Sequence, residues 1–317
     1  MPDISIVVPL YNEEESLPEL VEWIERVCKE NNFTHEVILV DDGSTDNSWE
    51  VVERLSRQYD TVRGIKFQRN YGKAAALNEG FKAAMGNVVI TMDADLQDSP
   101  DEIPELYRMI AVENYDLVSG WKKKRYDNAL TKNLPSKLYN GVNRAISGIK
   151  LHDMNCGLKS YKRKVVKSIE VYGEMHRFIP VLAKAAGFKR IGEKVVVHRA
   201  RKYGVSKFGW ERFINGFLDL LSIQFVSRFS KKPMHFFGSL GTLTFLAGFV
   251  IVIWLIIERL TEGAGFGLTN KVGFYLALTS MIIGTLFFLT GFIAELISRS
   301  AADRNTYLIE ERLGWEK

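Results

Sequence analysis

Two stretches of this chain leave little choice of surroundings. Met234–Ile257 runs for 24 residues without an Asp, Glu, Lys or Arg, and Val272–Ala294 does so for 23 more. At ~1.5 Å rise per residue, a helix of either length crosses the roughly 30 Å hydrocarbon core of a bilayer. The link Glu258–Lys271 is short and Gly-rich, which predicts a two-helix hairpin. Arg228, Lys231 and Lys232 precede the first span, and Arg299 and Arg304 follow the second, while the link holds only Arg259 and Lys271 beside Glu258 and Glu262. That bias places both chain ends in the cytoplasm. Just upstream, Trp210–Phe229 is aromatic and aliphatic, with Arg212, Arg228, Lys231 and Lys232 around it. It reads as an amphipathic helix lying in the membrane interface, over residues 209–232.

Ahead of these segments, the 317-residue chain has room for one large α/β domain. The formal net charge of +4 conceals a division. Ser119–Arg212 holds 23 Lys and Arg against 6 Asp and Glu, whereas residues 1–118 carry a net −14. The basic block suits a phosphate-bearing ligand or an anionic lipid surface. No nucleic-acid motif accompanies it, so no nucleic-acid partner is expected. Cys28 and Cys156 form neither a metal nor a disulfide pattern, which fits a reducing compartment. Met1-Pro2-Asp3 leads straight into a strand, so no signal peptide is expected.

The first hundred residues alternate strand and helix. Apolar Ile4–Pro9 is a strand, and Ser16-Leu17-Pro18-Glu19 has the form of a capping box opening a helix to about Glu30. Glu36–Val40 is a second strand that ends at Asp41-Asp42-Gly43-Ser44, where Gly43 permits a tight turn and Asp46 or Asn47 caps the next helix. Val62–Phe67 is a third strand and Lys73–Met85 a helix. Val88–Met92 is a buried parallel strand that stops at Asp93 and Asp95, and Asp98-Ser99-Pro100 opens a helix. This alternation, with acids at strand ends, predicts a doubly wound sheet binding a nucleotide in the crevice at its carboxyl edge. On an extended backbone Asp93, Asp95 and Gln97 face the same side. Three hard oxygen ligands so placed suit Mg²⁺ or Mn²⁺. Beyond Leu134 the pattern is mixed: a helix to about Ser147, a strand around Leu158–Tyr161, helices near Arg163–Ile169 and Ile179–Ala186, and a strand at Val195–His198. His152, His176 and His198 stand alone and read as structural residues. The run Lys122-Lys123-Lys124-Arg125 reads as a solvated or lipid-facing surface, with one member in reach of a diphosphate.

Four motifs in order carry a resemblance: Val8-Pro9-Leu10-Tyr11-Asn12-Glu13, Asp41-Asp42-Gly43-Ser44-Thr45-Asp46, Asn70-Tyr71-Gly72-Lys73 and Met92-Asp93-Ala94-Asp95-Leu96-Gln97. Asp153-Met154-Asn155-Cys156-Gly157-Leu158-Lys159-Ser160-Tyr161, Arg177-Phe178 and Tyr203-Gly204-Val205-Ser206-Lys207 continue it. The chain resembles family 2 glycosyltransferases of GT-A fold, and within them the polyprenyl-phosphate sugar transferases of the dolichyl-phosphate mannose synthase and bactoprenol glucosyltransferase group. The resemblance covers about Asp3 to Phe208. It implies a GT-A nucleotide-sugar-binding domain, with a doubly wound mixed sheet, over residues 1–208. The two helices then fall within 233–297, and a cytoplasmic tail occupies 298–317.

Residue by residue, the resemblance implies that Pro9, Tyr11 and Glu13 line the base and ribose pocket, with Asp41 on the nucleoside. Asp93, Asp95 and Gln97 would hold Mg²⁺ or Mn²⁺ on the donor diphosphate beside Ala94, and Lys73 and Lys207 would face phosphates. Asp153, four residues before Gly157, matches the mannose-synthase form and would sit by the acceptor or order its loop. The implied activity is inverting sugar transfer from a UDP- or GDP-linked sugar to a polyprenyl (undecaprenyl) phosphate, in cell-envelope assembly. The implied place is the cytoplasmic face of a bacterial-type inner membrane, with the catalytic domain cytoplasmic and a homo-oligomer compatible with the chain. A glycolipid or protein acceptor, and a non-catalytic nucleotide-binding membrane scaffold, are the alternatives. The sequence leaves the sugar and the nucleotide open.

Overall fold

A computed structural model describes residues 1–123, 148–173, 175–199, 202, 233–262 and 267–300. The expected helix to Ser147, the interfacial helix at 209–232, Lys124, Arg125, the Tyr203–Lys207 motif and the tail beyond 300 lie outside the described residues. The chain divides into two compact units, Met1–Gln224 and Phe225–Lys317.

Among the described residues, the first unit is built on a seven-stranded sheet: β1 (Ile4–Leu10), β2 (His35–Asp41), β3 (Val62–Lys66), β4 (Val88–Thr91), β5 (Leu117–Trp121), β6 (Lys159–Lys162) and β7 (Ile191–Val195). Its spatial order is β3-β2-β1-β4-β6-β5-β7. β1, β2, β3 and β4 are mutually parallel, β6 enters antiparallel between β4 and β5, and β7 runs parallel to β5. Every strand except β6 therefore delivers its carboxyl end to the same edge.

Side chains alternate across this sheet as a pleated strand requires. Ile4, Ile6, Val8, Val37, Leu39, Val88 and Ile90 feed one apolar core, while Val7, Ile38, Val40 and Val89 feed the other. The first core is closed by α1 (Leu17–Glu30), α2 (Ser48–Gln58) and α4 (Ile103–Ala111). The second is closed by α3 (Lys73–Ala83), α5 (Arg163–Val166) and α6 (Ile179–Ala185). Two cores on opposite faces are what a sheet of continuous apolar strands needs.

Local details depart from expectation. Ser16 precedes α1 with helical φ and ψ and makes no cap bond. Its Oγ donates back to the Glu13 carbonyl at 3.1 Å and to Glu13 Oε2 at 2.9 Å, so no capping box forms. Asp46 Oδ1, rather than Asn47, accepts the Ser48 N–H at the start of α2, at 3.0 Å. The last strand covers Ile191–Val195 rather than Val195–His198, because its register is set by pairing with Leu117–Trp121.

The second unit contains α7 (Pro233–Glu262) and α8 (Val272–Ser300). Within them Pro233–Thr261 and Val272–Ser298 are long and apolar enough to cross a membrane, with mean hydropathy 2.5 and 2.1. Lipid offers no hydrophobic reward for helix pairing, so close backbone approach through small residues must supply it. Such a seam is present. A β-carbon on Gly241 would lie 2.6 Å from the Gly284 carbonyl, and one on Gly248 would lie 2.6 Å from the Ala277 carbonyl.

Candidate active site

The carboxyl edge of the sheet forms a cleft of about 180 Å³. Pro9, Leu10, Tyr11 and Glu13 reach it from the end of β1, Asp42 from β2, Lys73 from the first turn of α3, and Asp93, Ala94 and Asp95 from beyond β4.

The turn after β1 is fixed by the one after β2. Asn12 has φ +56°, a conformation Asn tolerates better than most residues. Its N–H donates to Ser44 Oγ at 3.0 Å, and its Oδ1 accepts the Thr45 N–H at 2.8 Å. The Glu13 N–H donates to Ser48 Oγ at 2.8 Å. Tyr11 and Glu13 thus stand on a braced turn.

The paired acids after β2 split their roles. Asp41 is fully buried, and its Oδ1 accepts the Ser44 N–H at 2.9 Å and the Ser44 hydroxyl at 2.5 Å. It ties down the turn, and its neighbour Asp42 lines the cleft. Asp42 accepts the Tyr71 N–H at 2.7 Å and the Gly72 N–H at 2.9 Å, holding the loop that presents Lys73. Burial raises the Asp42 pKa, and those two N–H groups oppose the rise.

Asp93 carries the strongest electrostatics of the cleft. Burial would raise its pKa, but the charges of Lys73 and then Lys122 outweigh it and hold the carboxyl well below the usual range. Asp93 Oδ1 accepts directly from Lys73 Nζ. Lys122 is not a solvated member of a basic run. Its side chain is largely buried and lies 2.7 Å from Asp98 Oδ1, itself without exposure. Burial alone would lower the Lys122 pKa; Asp98, Cys156 and Asp93 together raise it. Lys123 instead lies over the Trp121 ring, 5.7 Å from its centroid. Lys159 of β6 is buried behind the site, donates to the Cys156 carbonyl, and has its pKa lowered by burial.

The three metal candidates do not follow one another along a strand. β4 stops at Thr91, the chain turns over Ala94–Leu96, and Leu96 takes φ +60°. Asp93 and Asp95 still share the cleft. Gln97 donates its N–H to Asp95 Oδ1 at 3.2 Å and its side-chain amide to the Arg199 carbonyl at 3.5 Å. Among the described residues no three His, Cys, Asp or Glu side chains gather as a ligand set. The cleft lining itself offers the two carboxylates, and Gln97, outside that lining, would add its amide oxygen as a third donor. That suits Mg²⁺ or Mn²⁺, which complete their shells with water and substrate phosphate. Asp93 is moreover already engaged by a cation of the chain itself.

Asp153 is buried apart from the cleft lining. Its Oδ1 accepts the Asn155 N–H at 3.1 Å, its carbonyl accepts Ser119 Oγ–H at 3.2 Å, and its N–H donates to Glu193 Oε1 at 3.0 Å. Sequence reasoning passed over Asp42, Gly157 and Lys159. Asp42 carried a signal, the Asp-Asp doublet, whose members must face opposite ways. His152 stacks on Trp121 at 4.1 Å and its Nδ1 meets Glu193 Oε2 at 2.6 Å.

Comparison with known proteins bears on this geometry. The Glycosyl transferase family 2 model matches residues 5–170. Dodecaprenyl-phosphate galacturonate synthase of Rhizobium johnstonii is 38% identical over 302 residues, covering 94% of this chain and 88% of that protein. Undecaprenyl-phosphate 4-deoxy-4-formamido-L-arabinose transferase of Proteus mirabilis is 36% identical over 318 residues, covering 99% of this chain and 95% of that protein. Among solved structures, glucosyl-3-phosphoglycerate synthase from Mycobacterium tuberculosis with uridine diphosphate superposes with a TM-score of 0.55 at 20% identity, over 71% of this chain and 80% of that one. The same enzyme with Mn²⁺, uridine diphosphate and glucosyl-3-phosphoglycerate gives 0.55 at 19% identity, over the same shares. These likenesses show the GT-A fold.

Proposed function

Because the chain belongs to glycosyl transferase family 2, we propose that it moves a sugar from a nucleoside diphosphate to a polyprenyl phosphate at a membrane, with inversion at the anomeric carbon. The observation that carries this reading is the cleft at the carboxyl edge, where Lys73, Asp93 and Asp95 meet Tyr11 and Glu13. Support for the acceptor comes from relatives named for dodecaprenyl and undecaprenyl phosphate, whose alignments span 94% and 99% of this chain and so include both apolar helices.

In this reading Pro9, Tyr11, Glu13 and Asp42 hold the nucleoside end of the donor. Asp93 and Asp95, with Gln97, would hold Mg²⁺ or Mn²⁺, which when bound neutralises charge on the departing diphosphate. Lys73 supplies a further positive charge in the cleft, and Asp93 stays ionised at neutral pH because Lys73 and Lys122 hold its pKa down. A phosphate monoester is mostly dianionic at pH 7, its second pKa being near ~6. Its oxygen attacks the anomeric carbon from the face opposite the leaving group. The new C–O bond forms as the bond to the nucleoside diphosphate breaks, and no side chain has to take a proton. Catalysis is then positioning and electrostatic stabilisation. The catalytic unit stands on the cytoplasmic side of the membrane, where nucleotide sugars are made.

The test uses the full-length protein in detergent with undecaprenyl phosphate, a panel of labelled UDP- and GDP-sugars, and Mg²⁺, Mn²⁺ or chelator. One donor should give an acid-labile lipid-linked product in a metal-dependent manner. Transfer to a lipid alcohol but not to the lipid phosphate would overturn the acceptor, and full activity in chelator would overturn the metal.

A further inference from the structure

Gln97 is held from outside the cleft by a single residue. Arg199 donates its backbone N–H to the Gln97 carbonyl at 2.9 Å, and the Arg199 carbonyl accepts the Gln97 side-chain amide at 3.5 Å. An isolated antiparallel bridge between Asp98 and His198 extends this pairing. The guanidinium of Arg199 lies over the Trp23 ring, 4.2 Å from its centroid, well within cation–π range. Trp23 belongs to α1, is nearly buried, and donates its indole N–H to Asp101 Oδ1 at 2.8 Å. One indole on α1 thereby grips the residue behind Gln97 and the chain four residues beyond it. Lys202 pairs with Glu19 of α1 at 2.6 Å, and the Val197 N–H donates to Glu102 Oε1 at 3.1 Å, so the segment is anchored on either side of Arg199.

The turn needs such support. Leu96 sits at φ +60°, where an L side chain is strained, and it stays there only while its surroundings over-determine it. The Gln97 N–H on Asp95 Oδ1 passes any shift of Gln97 directly to a cleft carboxylate.

We propose that Arg199, stacked on Trp23, is a positioning residue that sets the Asp95–Gln97 turn for the divalent cation. In this role Arg199 acts through Gln97. The inference rests on the metal reading given above.

The experiment is a Mn²⁺ titration followed by electron paramagnetic resonance, with UDP and then GDP present, on the full-length protein in detergent. Wild type is compared with Arg199→Ala, Arg199→Lys, Gln97→Ala and the Gln97→Ala/Arg199→Ala double variant. Arg199→Ala should raise the Mn²⁺ dissociation constant about tenfold, the lower end of the range for losing an outer-shell partner. Arg199→Lys keeps a cation for Trp23 and the same main-chain pairing, and should recover most of the loss. In the Gln97→Ala background the backbone links to Arg199 and Asp95 remain, so removing Arg199 should cost something more, but clearly less than tenfold. If Arg199→Ala lowers the melting temperature, Arg199→Met keeps the aliphatic stem over the indole without the charge, and the same tenfold loss is expected of it. An unchanged Mn²⁺ constant, or a second full tenfold loss on top of Gln97→Ala, overturns the role of Arg199. Wild type that binds no Mn²⁺ with either nucleotide overturns the metal reading instead.

Discussion

Gly157 lies face-on against the Asp93 carboxylate, so closely that a β-carbon there would overlap both oxygens and the carbon between them. The Gly157 carbonyl is itself fixed by the Thr91 hydroxyl at 2.8 Å. The chain between Cys156 and Leu158 therefore cannot retreat, and Asp93, gripped by Lys73, is what must yield. Gly157→Ala should leave the fold cooperative but displace Asp93 by a sizeable fraction of an ångström. Misplacement on that scale costs on the order of 100-fold in rate. Steady-state transfer assays beside thermal melts check this: a variant with normal kcat/KM would show that the contact relaxes at no cost.

The seam between α7 and α8 gives a second prediction. A β-carbon on Gly284 would stand 2.5 Å from the Phe245 backbone nitrogen and 2.7 Å from the Gly241 carbonyl, so even Ala forces the helices apart. Gly284→Ala and Gly241→Ala should each lower the melting temperature in detergent, and Gly284→Leu more so. Nucleotide binding should be unaffected, since every residue lining the cleft belongs to the first unit. Equal melting of wild type and Gly284→Leu would mean that the seam contributes nothing.

Much of this was legible in the residues. The strands Ile4–Leu10, His35–Asp41 and Val88–Thr91 announce themselves as apolar runs with an acid at, or within three residues of, their carboxyl ends, and their common direction brings Tyr11, Glu13, Asp93 and Asp95 together. What could not be read is whatever depends on pairing across long separations. Nothing near Lys159–Lys162 says that it enters between β4 and β5 in the opposite sense. That insertion brings Gly157 onto Asp93 and buries Lys159. Lys122, inside a run of four basic residues, looks solvated until Asp98 is found 2.7 Å away. Nor does the sequence show that the turn at Leu96 lets the Gln97 side-chain nitrogen donate to the Arg199 carbonyl.

The two thiols give a pH-dependent prediction. Burial pushes both Cys28 and Cys156 up from an ordinary value of 9.0 to about 12, Glu25 adding to it at Cys28 and Asp98 at Cys156. The folded chain thus holds each thiol proton more tightly than the unfolded chain. Both contributions are fully present below pH 9.0 and are lost as pH rises toward about 12. Stability measured by denaturant titration should therefore decline above pH 9. At pH 8 neither thiol should react with iodoacetamide until the chain is unfolded, when both react. Rapid alkylation of the native protein would contradict the burial of these groups.

Asp95 and Asp153 should separate cleanly on substitution. Asp95 lines the cleft, and in the proposed reaction its charge holds the cation against the donor diphosphate. Asn keeps its shape and can still accept the Gln97 N–H, but it removes that charge. Asp95→Asn should thus cut transfer by orders of magnitude while barely altering the melting temperature. Asp153 is buried and its Oδ1 accepts the Asn155 N–H at 3.1 Å, closing a local turn that Asn closes equally well. A phosphate acceptor gives it no proton to take. Asp153→Asn should then cost ~10–100-fold at most, no more than the loss of general-base help. The comparison is made at saturating donor and metal, first with undecaprenyl phosphate and then with the corresponding alcohol. A collapse of transfer in Asp153→Asn beside a mild Asp95→Asn would invert these assignments and point to a base acting on a hydroxyl. If the alcohol then outperformed the phosphate, the acceptor proposed for this cleft would fall with them.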